Sequence, residues 1–580
     1  MRTLSSDETR RLVDLLQCKT DIVTFLTHYI VIEEPGGVVT FKPYPKQVEL
    51  AKAILNDHYV VVLKSRQIGI STLVQAVCVY LLTFYRNVTI GVISRDGPEA
   101  TDFVRKTRIM YEHLPSWMKF PYIKKTEQSF ELSNNSRIIA STVNLSNPSS
   151  VFRGKTITLL IIDEAAYIRK IEEAFRGMSA ATLRAHEVAK QKGIPYGIVV
   201  LSTPDKTTGT GEWFYRLWTE SCAGISGFRP IKIHYSEAPF TTDEWLRKQK
   251  QILLSAGGGQ DAIDRELELK FTSSADSLFT KDVFEVLQGI VESTTKPIDV
   301  EERKYFNKQG LYVGSGKWEF YSKISKDKVY LIGVDVAPSY GACLSAIEVF
   351  EYPSLEQVAE FSGKLRINDL MGEILYIMKQ TDRSLLIVES NSYAAKLVED
   401  LEEHPLTEFR MFKTKKVRQD SRGRLVVTDV KPGIYTDSVT KPKMMQALYE
   451  IVSEKPHIVK SKQLALELMG IDKSYQSKRL TDRAMSLAFI CYVVKYHPSD
   501  IPDPIEIEGE QIDIVQDLTR TIQSLSRRYE PHRYVKDKLA EIDLRQHENN
   551  FEDFILYSEQ DNSLENRIEV IPKFDWLFNS

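Results

Sequence analysis

The stretch Tyr59-Val60-Val61-Val62-Leu63-Lys64-Ser65-Arg66-Gln67-Ile68-Gly69-Ile70-Ser71-Thr72 decides how the fold is read. Its first five residues form a short, continuous apolar run, the pattern of a strand buried on both faces of a parallel sheet. A polar loop follows, then a helical stretch from Ser71 to Phe84, then a second apolar run over 88–93. Runs of the same kind recur at 157–162 and 196–201. Buried strands separated by helices predict a doubly wound α/β domain. A second strand-rich unit opens at Val329-Tyr330-Leu331-Ile332-Gly333-Val334-Asp335, continues over 346–352 and 384–389, and closes with a helix from Asp482 to Tyr496. The expected organisation is a helical segment over 1–40, a first α/β domain over 41–295 and a linker over 296–325, followed by a second α/β domain over 326–500 and an acidic tail over 501–580.

Length and composition fit that division. The 580 residues suffice for several domains, each with its own core. With 42% hydrophobic and 27% charged residues, wholesale disorder, collagen and coiled-coil rods are excluded. The five cysteines (Cys18, Cys78, Cys222, Cys343, Cys491) form no CxxC pair, so neither a disulfide scaffold nor a zinc ribbon is expected. The most apolar stretch, 484–494, is shorter than the ~18–20 residues that span a bilayer. The first residues, MRTLSSDETRR, lack the apolar core of a secretory signal. A soluble, intracellular protein without a membrane partner is expected.

The loop carries the chemistry. A phosphate loop usually reads G-x-x-x-x-G-K-[ST]: backbone N–H groups surround the phosphates, the Lys supplies a point charge, and the hydroxyl binds Mg²⁺. Here Gly69 and Ser71 fall in register, Lys64 replaces the first Gly, and Ile70 stands where the Lys belongs. An ordinary strand–helix turn has the same outline. A Lys at the loop's first position can nevertheless curl over and place its ammonium on the same phosphates. Lys64, Ser65, Arg66, Gln67, Ile68, Gly69, Ile70, Ser71 and Thr72 are therefore the candidate nucleotide contacts.

Downstream, Thr158-Leu159-Leu160-Ile161-Ile162-Asp163-Glu164 ends an apolar run in two carboxylates, at the strand end where open α/β sheets bind ligands. Asp163 is placed to hold Mg²⁺ through water and Glu164 to orient or deprotonate the attacking water. An acid pair after a strand also suits a plain helix N-terminus. Three further pieces fit an ATPase. Gln47, in Tyr44-Pro45-Lys46-Gln47, can read an adenine edge. Ser202-Thr203-Pro204 can sense a γ-phosphate, and Arg153, before Gly154, can act as an arginine finger.

Together these residues resemble the large terminase subunit of tailed bacteriophages, the motor that packages DNA into a procapsid. The order of adenine Gln, SRQxGxS loop, RG, apolar strand with DE, and STP covers roughly residues 40–220. The resemblance implies an N-terminal P-loop (ASCE-type) ATPase that hydrolyses ATP, with Arg153 completing a neighbour's site in a ring of subunits; Arg66 is the rival for that role. Some members of the family have the loop Lys displaced to the start, as Lys64 is here.

The family also implies a C-terminal RNase H-like nuclease. Such a site needs carboxylates holding two divalent ions ~4 Å apart, and oxygen ligands suit Mg²⁺ or Mn²⁺. Asp335 at the end of one strand, Glu389 at the end of another and Asp482 at the start of the closing helix supply the order Asp, Glu, Asp. The resemblance then extends to about residue 495. Where many relatives carry a D-Y-S segment, this chain reads Ala342-Cys343-Leu344-Ser345, and a Cys is not a preferred Mg²⁺ ligand.

From Met411 to Arg483 there are 16 Lys/Arg against 8 Asp/Glu, and from Ile501 to Ser580 there are 9 against 18. Lys413, Lys415, Lys416, Arg418, Arg422 and Arg424, with Lys441 and Lys443, suit phosphate contacts without sequence preference. Solvated charged faces would give the same counts. The implied partners are double-stranded DNA, the portal protein of the procapsid and the small terminase subunit, in the host cytoplasm. Two rival readings remain: a helicase-like translocase without nuclease activity, and a non-catalytic portal-binding assembly protein suggested by Ile70.

Overall fold

Each apolar run read as a strand folds as one, and several polar stretches do as well. In chain order the strands are β1 (Val31–Glu34), β2 (Gly37–Thr40), β3 (Tyr59–Lys64), β4 (Thr89–Ile93), β5 (Tyr122–Lys125), β6 (Ser129–Leu132), β7 (Arg137–Ser141), β8 (Leu159–Asp163) and β9 (Gly197–Ser202). They continue with β10 (Arg229–Ile233), β11 (Asp299–Phe306), β12 (Tyr312–Phe320), β13 (Val329–Asp335), β14 (Ser345–Tyr352), β15 (Gln357–Lys364), β16 (Arg383–Val388), β17 (Lys413–Gln419) and β18 (Leu425–Pro432). This computed structural model describes residues 5–272, 277–337, 344–391, 393–419, 425–477 and 481–503. Cys343, Arg422, Arg424, the tail beyond 503 and the side chains of Lys416 and Arg418 therefore lie outside the described residues.

The first sheet has the order β10-β3-β9-β8-β4-β7-β6-β5. From β10 to β7 all neighbours run parallel, and β7-β6-β5 is an antiparallel meander at one edge. Because β9 lies between β3 and β8, the C-terminal ends of the loop strand, the Ser-Thr-Pro strand and the acid strand adjoin along one sheet edge. The period-2 alternation of β3 divides its side chains between two cores: Val60 and Val62 face one, Val61 and Leu63 the other.

The N-terminal helices Ser6–Thr20 and Ile22–Tyr29 place Cys18, Ile22, Phe25 and Leu26 in the first of these cores. Residues 5–40 of the segment expected over 1–40 thus pack as part of the first α/β unit, and the Glu34-Pro35-Gly36-Gly37 turn closes the β1–β2 hairpin.

The second sheet runs β11-β12-β15-β14-β13-β16, with only the β13–β16 pair parallel. The stretch expected as a linker over 296–325 is occupied by β11 and β12, which extend this sheet at one edge. The helix Asp482–Tyr496 crosses β13 so closely that a Cβ on Gly333 would lie 2.1 Å from the Ser486 carbonyl oxygen. Only a glycine permits that approach.

One hydrophobic core joins the two sheets. Leu160, Ile162 and Val200 of the first sheet and Leu331, Leu385 and Ile387 of the second belong to it. Between them lie Phe284 and Leu287 of helix Lys281–Glu292, Leu464 and Leu468 of helix Lys462–Met469, and Phe489 of the closing helix. A third core, with Tyr330, Ile332 and Val334, fills the opposite face of the second sheet. Among the described residues Cys18, Cys78, Cys222 and Cys491 are free, and no helix is long and apolar enough to cross a membrane.

Candidate active sites

The loop after β3 is held from three sides. Tyr44 donates its hydroxyl to the Ile68 carbonyl at 2.9 Å, and Gln47 Nε2 donates to the Gly69 carbonyl at 2.9 Å. Gln47 Oε1 accepts from the Tyr44 N–H at 3.2 Å, so the buried amide braces the loop with both of its ends. Gly69, with φ +75°, turns the chain into helix Ile70–Phe84; a side chain there would also press on Gln47. Ser65 is fully buried: its hydroxyl donates to the Leu267 carbonyl at 2.8 Å and accepts from the Tyr235 N–H at 2.9 Å. Arg66 and Gln67 are exposed, and Arg66 pairs with Glu266 at 2.8 Å. Ile68 and Ile70 are buried in the core beside the sheet.

Lys64 and the acid pair meet. Lys64 Nζ lies 2.7 Å from Glu164 Oε1, with the lysine side chain 6% exposed and the glutamate 26%. Burial works against the Lys64 charge, but Glu164 and Asp163 outweigh it and hold its pKa above the usual lysine value. Burial pushes the Asp163 carboxyl up to about 6; Lys64 opposes the shift, Glu164 adds to it, and a hydrogen bond from Ser71 opposes it. Ser71 thus stands close enough to Asp163 to act on its carboxyl, the neighbourhood that a hydrated cation at the loop requires. Glu164 itself adopts a left-handed backbone, φ 52°, that turns its side chain toward the loop rather than along the strand. Thr72 lies one residue beyond, half-buried in the first turn of the helix.

The Ser-Thr-Pro segment is wired to the acids. Ser202 Oγ accepts from the Ala166 N–H at 3.1 Å, and Tyr167 joins Thr203 Oγ1 at 2.9 Å and the Pro204 carbonyl at 3.2 Å. Asp205 pairs with Arg265 at 2.6 Å, next to the Glu266 that holds Arg66. Arg153 stands apart. It lies exposed on the 151–154 turn, and its side chain has no hydrogen bond or ion pair among the described residues.

The second centre is built on the second sheet. Asp335 ends β13, and Glu389 follows the parallel neighbour β16, with its N–H on the Val334 carbonyl at 3.0 Å. The Asp335 N–H donates to Ser486 Oγ at 3.0 Å, which ties this strand end to the helix that Asp482 begins. Burial raises the Asp335 carboxyl well above the usual range, and the charges of Glu389 and Asp482, together with a hydrogen bond to Glu389, raise it further. Burial likewise raises Asp482, against the Leu344 N–H donating to it at 3.0 Å. Next to Asp482, the buried Arg483 pairs with Glu467 at 3.0 Å and Glu360 at 3.4 Å. The three acids thus crowd one another, the electrostatic condition that a cation relieves. Yet among the described residues no group of three or more His, Cys, Asp or Glu side chains stands ready to hold a metal ion.

No protein-family model matches the chain. Solved structures do. The large terminase of bacteriophage HK97 is 11% identical, covering 82% of this chain and 99% of its own, at a TM-score of 0.38. A large terminase from a thermophilic bacteriophage in complex with ATP-gamma-S is 8% identical, covering 77% and 98%, at 0.31. The large terminase nuclease of thermophilic phage G20c is 12% identical, covering 38% and 99%, at 0.24. The chain is similar to phage large terminases. At such scores the roles of single residues rest on geometry alone.

The motifs that resemble a terminase in sequence are brought together in part. Gln47, the loop, Asp163, Glu164, Ser202 and Thr203 adjoin at one sheet edge, whereas Arg153 does not reach them within the chain. Of the basic cluster, Lys413 pairs with Glu402 and Lys415 with Asp500, each locally neutralised, while Lys441 and Lys443 are exposed at a helix start. Tyr44, Tyr167, Glu266 and Ser486 were not singled out by the sequence reading. Tyr44 and Tyr167 sit three residues from Gln47 and Glu164, and that proximity is the signal that would have found them. Glu266 meets Arg66 across 200 residues, and nothing local announces it.

Proposed function

We propose that this chain is a viral DNA-packaging motor that couples ATP hydrolysis to translocation of double-stranded DNA into a procapsid and cuts concatemers with a metal-dependent endonuclease. Residues 41–295 are then a P-loop ATPase domain of the ASCE type, 326–500 an RNase H-like nuclease domain to whose sheet β11 and β12 are added, and 501–580 an acidic tail. The observation that carries the reading is the contact of Lys64 with Glu164 beside the Ser71–Asp163 pair. It supports an answer to the objection raised by Ile70, because the displaced lysine already stands against the acid pair at the start of the loop.

In this reading the loop from Lys64 to Thr72 binds ATP phosphates, and Ser71 and Asp163 hold Mg²⁺. Glu164 takes the proton of the attacking water, and Gln47 keeps the loop in shape beside the adenine. Arg153, solvent-exposed and without a partner among the described residues, is the finger offered to a neighbouring subunit; Arg66 is tied to Glu266. Asp335, Glu389 and Asp482 would hold Mg²⁺ or Mn²⁺, which supplies Lewis-acid chemistry at a phosphodiester when bound. The raised Asp335 carboxyl supports this, since three crowded acids favour a cation over three separate charges. DNA, the portal protein and the small terminase subunit are the partners, in a ring of subunits in the host cytoplasm.

Plasmid cleavage by purified protein with Mg²⁺ or Mn²⁺, wild type beside Asp335→Ala, tests the cutting half, and phosphate release beside Glu164→Gln tests the motor half. Metal-dependent cutting that vanishes in Asp335→Ala supports one packaging enzyme. Intact plasmid from a wild type that hydrolyses ATP favours the second reading, a helicase-like translocase. The observation on its side is that no three-ligand metal group stands among the described residues.

A further inference from the structure

We propose that the furrow crossing β11, β12 and β15 is a track for the phosphate backbone of duplex DNA, leading to the Asp335–Glu389–Asp482 centre; it rests on the nuclease reading of that centre. The stretch carrying β11 and β12 was expected to be a linker, and its basic residues belong to no site described above. Strand register places them. Lys304 lies opposite Ser315 and Ser315 opposite Lys364, so the three share one face of the sheet in a single row. The next row on that face is Glu302, Lys317 and Ser362.

The small side chains of Ser315 and Ser362 leave a groove of about 420 Å³ between the longer ones. Lys304 and Lys364 are exposed, and Lys304 has no ion pair among the described residues. They are separated by two inter-strand spacings, about 10 Å. Lys317, in the next row on the middle strand, is shared with Glu319, and Glu302 is the acid that lines the groove.

Two contacts join this groove to the carboxylates. Leu344 lines one end, and its N–H donates to Asp482 at 3.0 Å. Ser362 on the floor accepts from Arg483 Nη2 at 2.5 Å, next to Asp482. An open face with exposed lysines in a row fits a repeating polyanion gripped through its phosphates. A backbone lying along the lysine row would bring a phosphodiester to the Leu344 end, beside the acids.

The test is equilibrium binding of a duplex of about 30 base pairs in EDTA over a range of salt concentrations, with Mn²⁺-dependent plasmid cutting in parallel. The full chain is compared with Lys304→Gln/Lys364→Gln and with Glu302→Gln. Removing one lysine–phosphate pairing lowers the slope of log K against log salt by about one, so the slope of the double variant should fall by about two, with binding roughly tenfold or more weaker at low salt. Glu302→Gln should bind more tightly, a gain that a misfolded protein cannot give. DNA-independent ATPase should be unchanged in both. Slopes and affinities that coincide for all three proteins overturn the track, even if the wild type cuts DNA. Separated slopes without cutting by any of them uphold the track and sink the nuclease reading instead. Binding of a polyglutamate peptide, but not DNA, that disappears in the double variant would also overturn the proposal, in favour of an acidic protein partner.

Discussion

Lys64 and Glu164 neutralise each other at 2.7 Å in a largely buried position, so an arriving phosphate must compete with Glu164 for the ammonium. Drawing Lys64 toward phosphate would free the carboxylate to act on water, and binding and activation would be linked through one proton-sized movement of charge. Glu164→Gln should keep nucleotide binding and slow phosphate release by about 100-fold or more, the usual weight of a general base. Lys64→Ala should abolish nucleotide binding measured by a fluorescent ATP analogue. It should also lower the melting temperature, because removing one partner of a buried pair strands the other at a cost of about 3–5 kcal/mol. Gly333 is decisive in another way. Gly333→Ala puts a methyl group 2.1 Å from the Ser486 carbonyl oxygen, and overpacking of this kind costs about 1–3 kcal/mol. Plasmid cutting should fall well before ATPase does, since the helix that must back away is the one that begins with Asp482.

At the scale of elements, the adjacency of β3, β9 and β8 explains how residues as far apart in the chain as Lys64 and Ser202 converge on one loop. Helix Ile171–Gln191 covers the other end of β3, where His186 Nδ1 meets the Tyr59 hydroxyl at 3.1 Å. Burial depresses the His186 pKa to about 4 from 6.5. The folded state thus binds its proton later than the unfolded chain does, so this contribution to stability is present above about 6.5 and is lost as pH falls toward 4. His186→Gln should flatten the decline of melting temperature between pH 7 and 5; an unchanged slope would exclude His186 as its source. Elements buried on both faces were legible in the sequence for a plain reason: 59–63, 159–162, 196–201 and 329–334 are short continuous apolar runs, the pattern of a strand covered on both faces. β11, DVEERKYF, was not legible, because this edge strand carries four consecutive charges, Glu301 to Lys304, and so shows neither a continuous apolar run nor a clean alternation. The acids were readable because strand ends are where such sheets bind ligands. The bracing residues were not, because Ser65 with Leu267 and Arg66 with Glu266 are contacts made by the fold alone.

At the scale of the molecule, the governing fact is the core shared by both sheets. Leu287 lies in it fully buried, on a helix that touches neither candidate centre. Leu287→Ala should destabilise by about 2–5 kcal/mol and lower the thermal inactivation midpoints of ATPase and nuclease together. Calorimetry of the wild type should give one unfolding transition for the described body; two well-separated transitions would count against a common core. Parting the sheets would expose Phe284, Leu287, Leu464 and Leu468 to water, each at about 1.5–3 kcal/mol. Joined in this way, the two sheets have no free hinge between them among the described residues. If the chain performs a mechanical stroke, the body moves as a single lever: the displacement has to be taken up where one protomer leans on the next, and the neighbour's exposed Arg153 becomes the point against which that lever pushes.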